Sequence, residues 1–127
     1  MRFLPTRVHG YLDYLLGAVL LMGPWVFNFD RGGAETWIPV LLGAGVMLYS
    51  LFTDYEMGLM KSIPMPVHLW LDGLVGVLLA LSPWLFGFSR YVWAPHLLLG
   101  LIAIGAAFTT QTIPSHEAFT ESHSRAM

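Results

Sequence analysis

Four apolar runs, each about as long as a bilayer is thick, divide this chain. They cover Val8–Phe29, Trp37–Thr53, Val67–Phe88 and Trp93–Thr110. A helix rises about 1.5 Å per residue, so a hydrocarbon core of about 30 Å needs roughly 17–25 apolar residues to cross it. All four runs qualify, the second narrowly. Only 11% of the 127 residues are Asp, Glu, Lys or Arg, against roughly 25% in an ordinary soluble domain. So few charges could hardly build a water-soluble surface, and most of them fall in the connectors at 30–36, 54–66 and 89–92 or in the tail at 113–127. The expected solvent is lipid.

The same composition excludes several functions. A net charge of −2 with no Lys/Arg cluster offers no field for nucleic acid. The absence of cysteine removes disulfides, thiolate metal sites and cysteine nucleophiles. The first run is expected to act as its own insertion signal, since no small-residue cleavage site follows it. No phosphate-binding glycine loop, Ser-His-Asp arrangement or zinc-protease helix motif is present.

The chain also matches itself. A shift of 59 residues pairs His9 with His68, Asp13 with Asp72, Gly17 with Gly76, Pro24 with Pro83, Trp25 with Trp84 and Phe29 with Phe88. Beyond the first connector a shift of 56 pairs Trp37 with Trp93, Pro39 with Pro95, Phe52 with Phe108 and Thr53 with Thr109. The expected architecture is therefore an all-α membrane protein. Its four transmembrane helices come from two tandem two-helix repeats, at about 7–56 and 66–112, in a single membrane domain with a polar C-terminal tail. Two-span repeats enter from the same side, which implies a pseudo-two-fold axis along the membrane normal. Arg2, Arg7, Lys61 and Arg125 fall on the side of the amino terminus, and Arg31 and Arg90 on the other. That asymmetry predicts cytoplasmic termini.

Gly23-Pro24-Trp25-Val26-Phe27-Asn28-Phe29 recurs as Ser82-Pro83-Trp84-Leu85-Phe86-Gly87-Phe88. Proline cannot donate to the helix ladder. The helix is expected to kink or end there, with the Trp-x-Phe-x-Phe run as an interfacial anchor. With its two copies of two spans and both Pro-Trp pairs, the chain resembles the SPW-repeat family of small bacterial membrane proteins. Gly23 stands where the family name has Ser. The resemblance covers nearly everything but the tail. It implies a multi-pass protein of the bacterial cytoplasmic membrane, with no activity, cofactor or catalytic residue to carry over.

Chemistry is concentrated in His-x-x-x-Asp, present twice. His9 and Asp13 lie one turn apart on one helix face, as do His68 and Asp72. Gly17 and Gly76 continue the stripe, which points to close helix contact. The second and fourth spans end at the same depth with Thr53, Glu56, Thr109 and Thr110. Three readings fit His9, Asp13, His68, Asp72 and Glu56. One is a structural network in which each His bonds a neighbouring helix. Another is a proton or cation path. The last is a metal site, since imidazole and carboxylate both ligate zinc or iron, with haem on His9 and His68 as the remainder. His96 reads as a lone interfacial histidine. Met57, Met60 and Met65 could be imagined around copper but are expected simply to pack. The expected function is a non-enzymatic structural or accessory membrane protein. It needs no cofactor, and it associates with itself or with another membrane protein.

Overall fold

A computed structural model describes residues 2–112; the tail at 113–127, with Ser122 and Arg125, lies outside them. Four helices follow one another: α1 (Thr6–Val26), α2 (Ala34–Leu51), α3 (Met65–Leu85) and α4 (Ala94–Thr109). α2 and α3 are long and apolar enough to cross a membrane, and α4 is apolar but has 16 residues. α1 has 21 residues, about 31 Å of helix. α1 packs on α2 and α3 on α4 as hairpins, α2 touches α3 less extensively, and α1 touches α4 less again.

The first three helices begin two or three residues before their apolar runs and α4 one residue after, and all four stop short of the run's end, for identifiable reasons. Pro5 and Pro64 hold the residue before α1 and α3 extended, both at φ −61° and ψ 146°. Just ahead of them, Leu4 bridges to Thr110 and Ile63 to Thr53 as isolated β-pairs. At the other end, Asn28 (φ 57°) and Gly87 (φ 75°) take the left-handed conformation. The next amide then reaches back into the helix: Phe29 N–H donates to Pro24 O at 2.9 Å and Phe88 N–H to Pro83 O at 2.8 Å. This is the Schellman C-cap. The helix thus runs on for two residues past each proline and closes at Phe27 or Phe86. Trp25 and Trp84 stay exposed, as do Phe27 and Phe86, but Phe29 is buried and Phe88 half-buried. Their rings clasp His96 at 5.1 and 4.9 Å. His96 is thus buried within the protein, and its Nε2–H donates to Glu35 O at 2.9 Å.

Burial runs opposite to that of a soluble bundle. The inward stripe of α1 is Thr6, His9, Gly10, Asp13, Gly17 and Leu20, spaced three and four apart as a helix face requires. Outward stand Leu15, Leu41, Trp70, Leu74, Leu98 and Leu101, each more than half exposed. A polar and small-residue interior inside an apolar exterior is stable only where the surroundings are themselves apolar.

Small residues set the helix spacing. Gly17 approaches Gly43, and Gly76 approaches Gly100; a Cβ on Gly100 would lie 2.6 Å from Gly76 O and from Ala80 N. The spacings Gly76-x-x-x-Ala80 and Ala103-x-x-x-Ala107 are therefore consumed inside the chain. The buried positions of the second helix in each hairpin follow a different spacing from the Trp and Pro matches. The buried positions Pro39, Gly43, Val46 and Ser50 correspond to His96, Gly100, Ala103 and Ala107, an offset of 57 rather than 56. The Trp and Pro landmarks are one residue out because α4 begins later relative to them than α2 does.

The serine before Pro83 has a mechanical role. Pro83 has no N–H for Leu79 O, and the Ser82 hydroxyl donates to that carbonyl at 2.7 Å. In the first hairpin Gly23 has no side chain to serve Leu20 O before Pro24. A Cβ on Gly23 would meet only Phe27, at an ordinary 3.6 Å. Ser82→Ala should therefore lower stability by about 1 kcal/mol and Gly23→Ser should raise it by a similar amount, as read by thermal unfolding in detergent. Equal melting points for wild type and both variants would refute this role.

Candidate functional site

The polar stripes of α1 and α3 face each other at the end of the bundle that carries the amino terminus. His9, Asp13, His68 and Asp72 are all buried, and one ligand-type atom from each lies within 4.8 Å of the others. His9 Nε2 stands 2.6 Å from Asp72 Oδ2 and 3.0 Å from Asp13 Oδ1. His68 Nε2 stands 2.9 Å from Asp13 Oδ2 and 3.1 Å from Asp72 Oδ2. Each imidazole thus bridges the carboxylate one turn along its own helix and the one across the interface. Two residues 63 apart in sequence come together because Gly17 and Gly76, one turn deeper, let α2 and α4 in close and leave α1 and α3 to meet through side chains.

The far side of each ring is held equally well. His9 Nδ1 contacts Thr110 Oγ1 at 2.7 Å, and His68 Nδ1 contacts Thr53 Oγ1 at 2.7 Å. Each threonine hydroxyl already donates to a backbone carbonyl one turn back, Thr110 to Ala106 O at 2.5 Å and Thr53 to Tyr49 O at 2.8 Å. A hydroxyl has one hydrogen, so toward the ring it can only accept. Both Nδ1 atoms therefore carry protons, and both Nε2 atoms face the carboxylates. One proton on each Nε2–carboxylate contact makes the four side chains neutral as a set, which is the arrangement least costly to bury.

Thr110 occupies the place that the repeat assigned to Thr109. Thr109 instead donates to Gly105 O on the exposed face. Glu56 also departs from expectation. It is not one of the four, and it accepts the Thr6 hydroxyl at 2.9 and 2.7 Å, next to the start of α1.

Two tyrosines complete the site, and the sequence reading passed over both. Tyr49 OH on α2 donates to Asp72 Oδ1, and Tyr55 OH donates to Asp13 Oδ2 at 2.8 Å. Tyr55 belongs to the α2–α3 connector yet is fully buried, against Met65 and Leu69 with Met57 beside them. Burial, and then the charge of Asp13, pushes its phenol well above the ordinary range, which keeps it a proton donor. The signal was available as a break in the repeat: at the offset of 57, Ala106 and Thr112 stand where Tyr49 and Tyr55 do. On that side, between α1 and α4, a crevice of about 250 Å³ opens beside His9, Asp13 and Asp72, among Leu16, Ile102 and Ala106.

The haem reading does not survive this geometry. The His9 and His68 rings stand edge to face with centroids 5.4 Å apart, and two carboxylates occupy the space between their Nε2 atoms, leaving no room for a macrocycle. The fold and site define a small membrane protein: apolar outside, polar and hydrogen-bonded within. The SPW repeat domain model matches residues 7–110. The chain belongs to the SPW repeat family, for which no activity is established. No curated protein and no solved structure is matched by it.

The roles of the threonines are testable. Thr53→Val and Thr110→Val should each lower thermal stability by about 1–2 kcal/mol, because each strands a buried Nδ1–H. Thr109→Val should stay within about 0.5 kcal/mol of wild type. A larger loss for Thr109→Val than for Thr110→Val would restore the offset of 56.

Proposed function

We propose that this protein is a non-enzymatic structural or accessory component of the bacterial cytoplasmic membrane, and that its His/Asp centre is a clamp joining two helical hairpins. In this reading all four helices cross the bilayer, the hairpins are tandem repeats about a pseudo-two-fold axis along the membrane normal, and both termini are cytoplasmic. Matching contacts support the repeat: His9 to Thr110 and His68 to Thr53, Leu4 to Thr110 and Ile63 to Thr53, Gly17 to Gly43 and Gly76 to Gly100. Arg2 and Lys61 support the orientation. Arg2 donates to the last carbonyls of α4, Ala107 O at 2.9 Å and Thr110 O at 2.7 Å, and Lys61 donates to Tyr55 O at 2.6 Å. They therefore sit together at the polar end of the bundle, as cytoplasmic cations do. Self-association belongs to the same proposal. Four helices enclose little by themselves, and the α1–α4 seam is more loosely packed than either hairpin.

The single observation that carries the clamp is that each His bridges both Asp residues while its Nδ1 is anchored to the opposite hairpin. Asp13→Asn and Asp72→Asn should each lower thermal stability by about 1–3 kcal/mol, with proteoliposome ion flux equal to that of wild type. Unchanged melting with flux abolished would replace the clamp by a proton or cation path. For orientation, Cys placed at Ser122 should label only from the cytoplasm, and Cys at Gly33 only from outside intact cells. Labelling of both from one side would refute the arrangement.

A further inference from the structure

We propose that the His9–Asp13–His68–Asp72 cluster is a zinc site, in which one Zn²⁺ replaces the two protons that otherwise hold the clamp together. The inference rests on the clamp reading of the same residues and adds a ligand to it.

Three observations carry it. First, the donor set is N₂O₂, with both imidazoles presenting Nε2 and each carboxylate offering an oxygen. Zinc takes four such ligands in a tetrahedron, whereas magnesium and calcium want six or more oxygens. Second, the spacing is already close. At ligand distances of about 2.0–2.1 Å, the edges of a zinc tetrahedron are about 3.3 Å. With Asp13 Oδ2 and Asp72 Oδ2 as the carboxylate donors, three of the six edges measure 2.6, 2.9 and 3.1 Å, and one donor atom from each of the four residues lies within 4.8 Å of the others. Side-chain adjustment that lengthens these short edges and draws the remaining donors together would admit the ion. Third, the surrounding shell is in place. A ligating histidine donates its other N–H to an acceptor that fixes its tautomer, and Thr53 and Thr110 do this for His68 and His9. Tyr49 and Tyr55 donate to the carboxylates in the same way.

The exchange balances. The proton-held cluster has two protons shared between Nε2 and carboxylate. Zinc binding releases both to solvent and leaves two neutral imidazoles, two carboxylates and one dication. The site is neutral before and after, so loading it buries no new net charge. That matters more in a membrane interior than it would in a water-exposed protein. His9, Asp13 and Asp72 border the α1–α4 crevice, which gives the ion an approach that does not require the hairpins to separate.

The test uses the full chain, purified in detergent, stripped with chelator and titrated with Zn²⁺, and in parallel with Co²⁺ as a spectroscopic stand-in. Wild type should take up one zinc per chain, release about two protons per zinc into a weakly buffered indicator solution and melt at a higher temperature. Cobalt should give the intense visible bands of a tetrahedral centre. Asp13→Asn and Asp72→Asn should lose at least 100-fold in affinity. Thr53→Val and Thr110→Val keep all four ligands, and they serve if the Asn variants do not fold. They should lose roughly 10- to 100-fold through the freed ring. No stoichiometric uptake by folded wild type would overturn the site, as would undiminished uptake by the Asn or Thr variants. Those results would leave the clamp standing. The clamp fails separately if the Asn variants melt with wild type in the absence of metal.

Discussion

His9 Nε2 lies between two carboxylates, and His68 Nε2 lies between the same two. The rest of the structure is arranged around that crossing. Four ionisable side chains are removed from water together, and the cost of burying any one alone would be several kcal/mol. The cost falls only because the set is neutral and each polar atom has a partner. The threonines beyond α2 and α4 hold the outer nitrogens, and the tyrosines of α2 and its connector serve the carboxylates. Even the β-bridges at Leu4 and Ile63 serve this end: they fasten the chain ahead of α1 and α3 to the residues that carry Thr110 and Thr53. Each hairpin thus supplies the acceptor for the other hairpin's histidine, and neither could satisfy its own.

The opposite end of the bundle is organised differently. There the chain turns through short, tightly bonded loops. Asp30 accepts the Gly32 N–H at 2.9 Å and the Thr36 hydroxyl at 2.8 Å, and these bonds hold its carboxyl below the ordinary range. Arg31 stacks 4.1 Å over the Tyr91 ring and so ties the two loops together. His96 is gripped between Phe29 and Phe88, so the aromatic run after each proline divides its labour. Trp25, Phe27, Trp84 and Phe86 face outward, where rings suit a membrane interface. Phe29 and Phe88 turn inward because the left-handed residue before each reverses the chain. The serine of the second Pro-Trp motif serves the carbonyl that proline cannot, a reason internal to the helix for the residue order.

Asymmetry between the hairpins is concentrated where chemistry could differ. Both tyrosines come from the first hairpin and its connector. At the matching place in the second stand Ala106 and Thr112, and the crevice between α1 and α4 opens beside Ala106. A cluster with matched ligands but one open flank is what a site accepting an ion from one direction would need.

The helices and their polar stripes were legible in the sequence because they depend on local rules. Run length and composition mark the helices, the period of 3.6 places His9 with Asp13 and His68 with Asp72, and self-comparison pairs the two sets. Proline and the residues after it announce where α1 and α3 end. Register was another matter. Trp37 and Trp93 are half exposed and make no demand on register, whereas Gly43 and Gly100 stand where backbones touch and a single Cβ decides. Only packing could show that the offset is 57, that Thr110 rather than Thr109 holds His9, and that Glu56 turns to Thr6. Tyr49 and Tyr55 were hidden for the same reason. A tyrosine in an apolar run looks like any other ring until a buried carboxylate from another helix comes within reach of its hydroxyl, and that distance is a property of the assembled bundle, not of any segment within it.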